Sequence, residues 1–147
     1  DLTELATLRA EFDIIAMREA IRTGDRAWEG RILAVVHELQ GRQKMGPDGR
    51  MDAEWEDVHI RFHNALCETP HLPRLATFRQ ILDDQAMRYR RMSMHYLKAP
   101  RDIAGEHQAM AEAVLARRAD DAAYLIRKHY MRTVEIILAD PNATFEP

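Results

Sequence analysis

Glu56-Asp57-Val58-His59-Ile60-Arg61-Phe62-His63-Asn64-Ala65-Leu66 sets two histidines four residues apart. On a helix, positions i and i+4 lie one turn apart on the same face. Two imidazoles so placed can bind one metal ion from a single helix, with Ile60 and Phe62 packing beside them. The same spacing arises by chance in a chain with seven histidines, so the other histidines decide between the two readings.

Working outward, the stretch sits in a helix expected over 53–68, capped by Asp52 and broken by Thr69-Pro70-His71-Leu72-Pro73. Towards the N-terminus, Leu5, Leu8, Phe12, Ile15 and Ala16 recur at three- and four-residue steps. This predicts an amphipathic helix over 2–21 with those residues inward. Gly24 suits a left-handed cap, and Asp25 can cap a second helix over 26–44 that buries Trp28, Ile32, Val35, Val36 and Leu39. Gly46-Pro47-Asp48-Gly49 is the clearest loop. Towards the C-terminus, a fourth helix is expected over 72–97 with Leu75, Phe78, Leu82, Tyr89 and Met92 inward, ending at Ala99-Pro100-Arg101-Asp102. A fifth over 101–117 uses Ile103, His107, Met110, Val114 and Leu115. A sixth over 121–138 uses Ala122, Leu125, His129, Val134 and Ile137. Six helices with short links predict an all-α antiparallel bundle, with no strand longer than three residues and a tail from Asp140.

Composition agrees. A chain of 147 residues suits one domain. Apolar residues make up 46% and charged residues 31%, a soluble globular balance, and Val, Thr and Gly are sparse. A net charge of −3 argues against a grip on DNA phosphates by this chain alone. Cys67 is the sole cysteine, so no internal disulfide forms and a reducing cytoplasm is expected. No apolar run is long enough to span a membrane. The chain opens on Asp1, so a preceding segment is expected.

His37, His71 and His95 read as ordinary surface histidines. His107 and His129 each lie mid-helix with apolar residues at helical spacing, so both should point inward. Four inward histidines on three helices of a small bundle point to a metal site, because bundle cores are where facing helices assemble such sites.

Several motifs resemble one family. Leu5-Ala6-Thr7-Leu8-Arg9-Ala10-Glu11-Phe12-Asp13 resembles the opening of the FCD domain, the ligand-binding half of FadR-type GntR transcription regulators. Phe62-His63-Asn64-Ala65-Leu66 and Glu106-His107-Gln108-Ala109-Met110-Ala111-Glu112-Ala113 resemble its two histidine signatures. Asp120-Asp121-Ala122-Ala123 followed by Lys128-His129 resembles its closing helix. The resemblance implies an effector domain over 1–140, a tail over 141–147, and a winged-helix DNA-binding domain in front of this chain.

It also implies a divalent metal held by His63, His107 and His129 together with an Asp four residues before His63. That position holds His59, a departure. Imidazole in place of a hard carboxylate favours Zn²⁺, Ni²⁺ or Cu²⁺ over Mn²⁺. It also removes one negative charge, so the centre should attract an anion more strongly. Glu56 could accept a hydrogen bond from an imidazole. Asp57 lies on another face and is a poor substitute for the missing Asp. Arg9 matches an arginine that the family places on its first helix near the pocket, and a guanidinium fork suits a carboxylate. Arg88 and Arg91 are further candidates.

The expected function is effector sensing: a zinc- or nickel-bound homodimer takes up a small carboxylate and alters DNA binding by a domain outside this chain. The alternatives are a metal-dependent enzyme and a structural metal site in a dimerisation module. One Glu-x-x-His, Glu56 to His59, has no second copy to build a diiron centre. Ile60 stands where a His-Glu-x-x-His protease needs its base, so an enzyme is not expected.

Overall fold

In a computed structural model, residues 2–96 and 101–139 are described, with the side chains of 92–96 excepted. The inward placement of Met92, the reading of His95, the helix end at Leu97, Ala99-Pro100 and the tail lie outside the described side chains or residues.

Asp25 and Asp52 start their helices by local chemistry. Their carboxylates accept from Trp28 N at 2.8 Å and Trp55 N at 2.7 Å, satisfying amides that the first turn leaves open. Asp102 does the same for Gly105 N at 2.8 Å. Six helices result: α1 Leu2–Thr23, α2 Arg26–Gln40, α3 Ala53–Leu66, α4 Pro73–Tyr96, α5 Ile103–Leu115 and α6 Ala119–Leu138. The described residues contain no strand, only one isolated bridge between Met45 and Met51. The all-α expectation holds.

Helix ends differ from expectation where the loops have their own structure. α2 stops at Gln40, not Lys44, because the chain folds back on itself. Asp52 N donates to Lys44 O at 2.9 Å, Gly46 N donates to Arg50 O at 2.8 Å, and Gly49 takes the left-handed φ of 73° that the turn needs. α5 stops before Arg117, whose φ of 60° leaves the helix. Its guanidinium holds it there, donating to Ile21 O, Gly24 O and Glu29. Gly24 is not the left-handed cap expected of it. A Cβ there would stand 2.1 Å from Trp28 Cε3, so close packing demands the glycine.

α1 packs chiefly on α6 and α4, α2 on α3, and α5 on α6. Phe62, Met17, Ile32, Leu66, Met110 and Ile126 are fully buried and tie α1, α2, α3, α5 and α6 into one core. Trp28 Nε1 donates to Ala65 O at 2.8 Å and pins α2 to α3.

The phase expected for α1 and α4 needs correcting. Leu8 and Ile15 are exposed, as is Phe78, at 42%, 55% and 55%. The buried face of α1 instead carries Arg9 and Asp13 beside Leu5, Ala6, Ile14 and Met17. Two charges face inward because α4 supplies their partners. Arg9 Nη2 donates to Asp83 at 2.5 Å, and Arg79 Nε donates to Asp13 at 2.6 Å. Buried charges are tolerated when paired in this way.

Candidate metal centre

α3 turns Val58, Phe62 and Leu66 into the core, and the same phase buries His59 and His63. α5 buries His107 with Met110 and Val114, and α6 buries His129 with Ile126 and Tyr130. One ring nitrogen from each of the four histidines lies within 4.8 Å of all the others. The sequence singled out these four residues, and the fold brings them together.

The donor set suits a borderline metal. Four nitrogens at a Zn–N distance of 2.0–2.1 Å stand about 3.3 Å apart in a tetrahedron, so nitrogens within 4.8 Å of one another would draw together by up to about 1.5 Å on binding. His59 Nε2 and His63 Nε2 are 3.1 Å apart. His107 Nε2 is buried with no hydrogen-bond partner, a lone pair that a cation would satisfy.

Acceptors behind the rings set their tautomers. Glu106 Oε2 lies 2.6 Å from His129 Nδ1, so Nδ1 carries the proton and Nε2 stays open. Tyr130 donates its hydroxyl hydrogen to Asp13 and so accepts from His63 Nδ1 at 3.3 Å. This leaves His63 Nε2 as a lone pair too. His59 has no such acceptor, since its Nδ1 is buried without a partner. Stacking on Trp55, centroid to centroid 4.6 Å and 13° from parallel, orients it instead.

All four imidazoles are held neutral. Desolvation is the largest cause in each; in His59, His63 and His107 repulsion from neighbouring histidines adds to it, and these three are pushed well below 6.5. His129 is lowered to about 4, because burial outweighs the hydrogen bond to Glu106. Neutral imidazole is the metal-binding form. Burial would raise Glu106, but Arg101 and His129 hold it well below the usual carboxylate range.

Two small cavities, about 40 and 30 Å³, flank the ring of histidines. The first is lined by Arg9, His59, Arg90, His129 and Tyr130, the second by Lys44, Trp55, His59, Arg90, Arg101 and His129. Arg9 therefore stands near the site as expected. Its guanidinium is engaged, however, bonding Asp83 and lying 4.1 Å over the Tyr130 ring.

The other two arginine candidates are placed elsewhere. Arg88 is exposed on an outer depression with Glu4 and Leu8. Arg91 is outside and pairs with Glu56 at 2.7 Å. The reason is rotation: one residue shifts a helix by about 100°, and it is Arg90 that turns inward, donating to Asp83 at 2.9 Å. Glu56 is occupied by Arg91 and bonds none of the four site imidazoles. Asp57 pairs with Arg61 at 3.0 Å on the surface. His37 and His71 are exposed as expected, His71 beside Glu19.

Sequence reasoning missed Glu106, Tyr130, Arg101, Lys44 and Trp55 as site residues. Glu106 and Tyr130 each adjoin a site histidine in sequence, and that adjacency was the available signal. Arg101 was read as a junction. Its side chain is 8% exposed and donates to Glu106 at 2.7 Å, His129 O at 2.9 Å and Thr133 Oγ1 at 3.0 Å.

The fold is an all-helical bundle whose core gathers four histidines, and the chain belongs to the FCD-domain family, whose model matches residues 4–132. It is 30% identical over 141 residues to the HTH-type transcriptional repressor GlaR of Escherichia coli (strain K12), covering 93% of this chain and 64% of that protein. It is 28% identical over 139 residues to the uncharacterized HTH-type transcriptional regulator BphR of Paraburkholderia xenovorans (strain LB400), covering 93% of this chain and 57% of the relative. The chain thus spans about three-fifths of the length of the curated relatives it matches. No solved structure matches. Among the described residues no helix is long and apolar enough to cross a membrane.

Proposed function

We propose that this domain is the effector-sensing part of a GntR-type transcription regulator, holding Zn²⁺ or Ni²⁺ on His59, His63, His107 and His129 and binding a small organic acid beside it. The observation that carries the reading is the closure of four buried, neutral imidazoles on one point. A divalent ion bound by neutral ligands adds charge that the protein does not compensate, and burying such charge unbalanced is costly. Arg9, Arg90, Arg101 and Lys44 stand around the histidines and bias the site further towards anions. When bound, the metal supplies a coordination position for one carboxylate oxygen. Arg9, at the cavity edge, is the candidate second anchor, provided that Asp83 yields it.

The curated relatives are HTH-type regulators, and the chain spans only part of their length, which supports the reading that DNA is bound through a winged-helix domain outside this chain. The partner state is a homodimer. Leu8, Ile15 and Phe78 are exposed, and Phe12 and Phe78 meet at 6.0 Å between ring centroids, which makes an apolar stripe across α1 and α4 suited to a second copy. Phe78→Asp should give a monomer by light scattering. A dimer that survives this change would place the interface elsewhere.

The metal-anchored model predicts reciprocal linkage: metal raises carboxylate affinity, and carboxylate raises metal affinity by the same factor. The test is calorimetric titration of citrate, malate and lactate into metal-loaded protein, chelator-treated protein and a His107→Ala variant. Affinity should be highest in the first. Equal affinity in all three would overturn the metal anchor. A metal that binds but admits no acid would favour a structural site instead, a reading supported by the full burial of all four ligands.

A further inference from the structure

Beside the two small cavities lies a cleft of about 310 Å³ between α2, α3, α5 and the 41–52 loop. This size falls at the lower end of small-molecule sites, about 300–1,000 Å³. Its walls are mostly apolar: Val36, Leu39, Trp55, Phe62 and Ile103, with His107 at the inner end. Lys44, Trp55, Arg101 and Ile103 line both this cleft and the 30 Å³ cavity against His59 and His129. They form the partition between an apolar chamber and the histidine centre.

Lys44 stands out on that partition. Arg101 is neutralised by Glu106 at 2.7 Å, and Arg42 on the rim by Glu54 at 2.5 Å. The ammonium of Lys44 lies 5.4 Å over the Trp55 ring and has no ion-pair partner among the described residues. It is partly buried, and burial together with the neighbouring Arg101 lowers it to about 8. The folded loop holds it there, since its backbone carbonyl accepts from Asp52 N. A lysine ammonium with no ion pair among the described residues, on the wall of an apolar cleft and with Glu106 acting on it only at longer range, is the complement of an amphipathic anion.

We infer that the cleft is a binding site for a monocarboxylate with an extended apolar body, its carboxylate at Lys44 on the partition and its hydrocarbon along Val36, Leu39, Trp55 and Ile103. The inference rests on the reading of the domain as an acid sensor. It deepens that reading by naming a class of acid for this cleft: one charge and a hydrophobic body. It does not depend on the metal.

The experiment is a calorimetric titration of acetate, butyrate, hexanoate and hexanol, with citrate as comparison. The proteins are the unaltered chain, Lys44→Gln and Ala104→Phe, each with zinc and after chelation. Lys44 lies in a loop, and Ala104 is an exposed residue at the cleft, so both variants should fold, with circular dichroism as the check. Affinity should rise about fourfold per added methylene from butyrate to hexanoate, the increment for burying one CH₂. Hexanol should bind at least tenfold more weakly than hexanoate. Lys44→Gln should lower hexanoate affinity about tenfold, and Ala104→Phe should abolish the dependence on length. Affinity independent of chain length would overturn the site, as would unchanged hexanoate binding in Lys44→Gln. Citrate binding that needs zinc, with no hexanoate binding, would leave the metal reading standing and remove the cleft. Length-dependent hexanoate binding that is equal with and without zinc would establish the cleft, and citrate binding that is also equal with and without zinc would remove the metal anchor.

Discussion

Acid should unfold the metal-free domain over a window set by its four buried histidines. His129 titrates near 6.5 when unfolded and is lowered to about 4 in the fold. A histidine with a depressed folded value contributes stability that is complete above the unfolded value and is lost as pH falls towards the folded one. At pH 5 about nine-tenths of a proton more is bound by the unfolded imidazole, and the integrated loss between pH 7 and 5 is about 2 kcal/mol for this one residue. His59, His63 and His107 are lowered in the same direction, by desolvation first. Each adds to the loss over the same interval, and the share of His129 alone is already a sizeable part of a typical domain's stability of about 5–15 kcal/mol. Glu106, held low by Arg101 and His129, loses its contribution only at more acid pH, so the interval from 6.5 to 5 belongs to the histidines. The assay is urea unfolding of chelator-treated protein, followed by circular dichroism at half-unit steps of pH. His129 alone should contribute a slope of about 1.2 kcal/mol per pH unit near pH 5, and His129→Gln should remove that share. A stability unchanged between pH 7 and 5.5 would refute the picture of four neutral buried rings.

Glu106→Gln should lower zinc affinity by about 10- to 100-fold, because it weakens the acceptor that fixes the His129 tautomer; competition with a chromophoric chelator reads this directly. An unchanged affinity would show that His129 does not ligate. Gly24→Ala should destabilise, since its Cβ would collide with Trp28, whereas Gly30→Ala on open helix surface should stabilise by about 1 kcal/mol. Thermal melts of the two variants should therefore move in opposite directions.

What the sequence determined by itself was everything of short range. Apolar spacing marked all six helices, and Asp25, Asp52 and Gly49 marked their boundaries and turns through bonds within a few residues. The inward phase of His59, His63, His107 and His129 was legible too, because each shares a face with apolar neighbours whose burial fixes the rotation. Tertiary structure decided which face of α1 and α4 turned in. Leu8, Ile15 and Phe78 gave way to Arg9 and Asp13, whose partners Asp83 and Arg79 lie 74 and 66 positions along the chain. It likewise chose Arg90 over Arg88 and Arg91, and set Lys44 over Trp55. A hydrophobic pattern reports only the mean cost of hydrating each face. A buried ion pair reverses that cost through a partner brought near by the fold, and no local window of sequence contains both members.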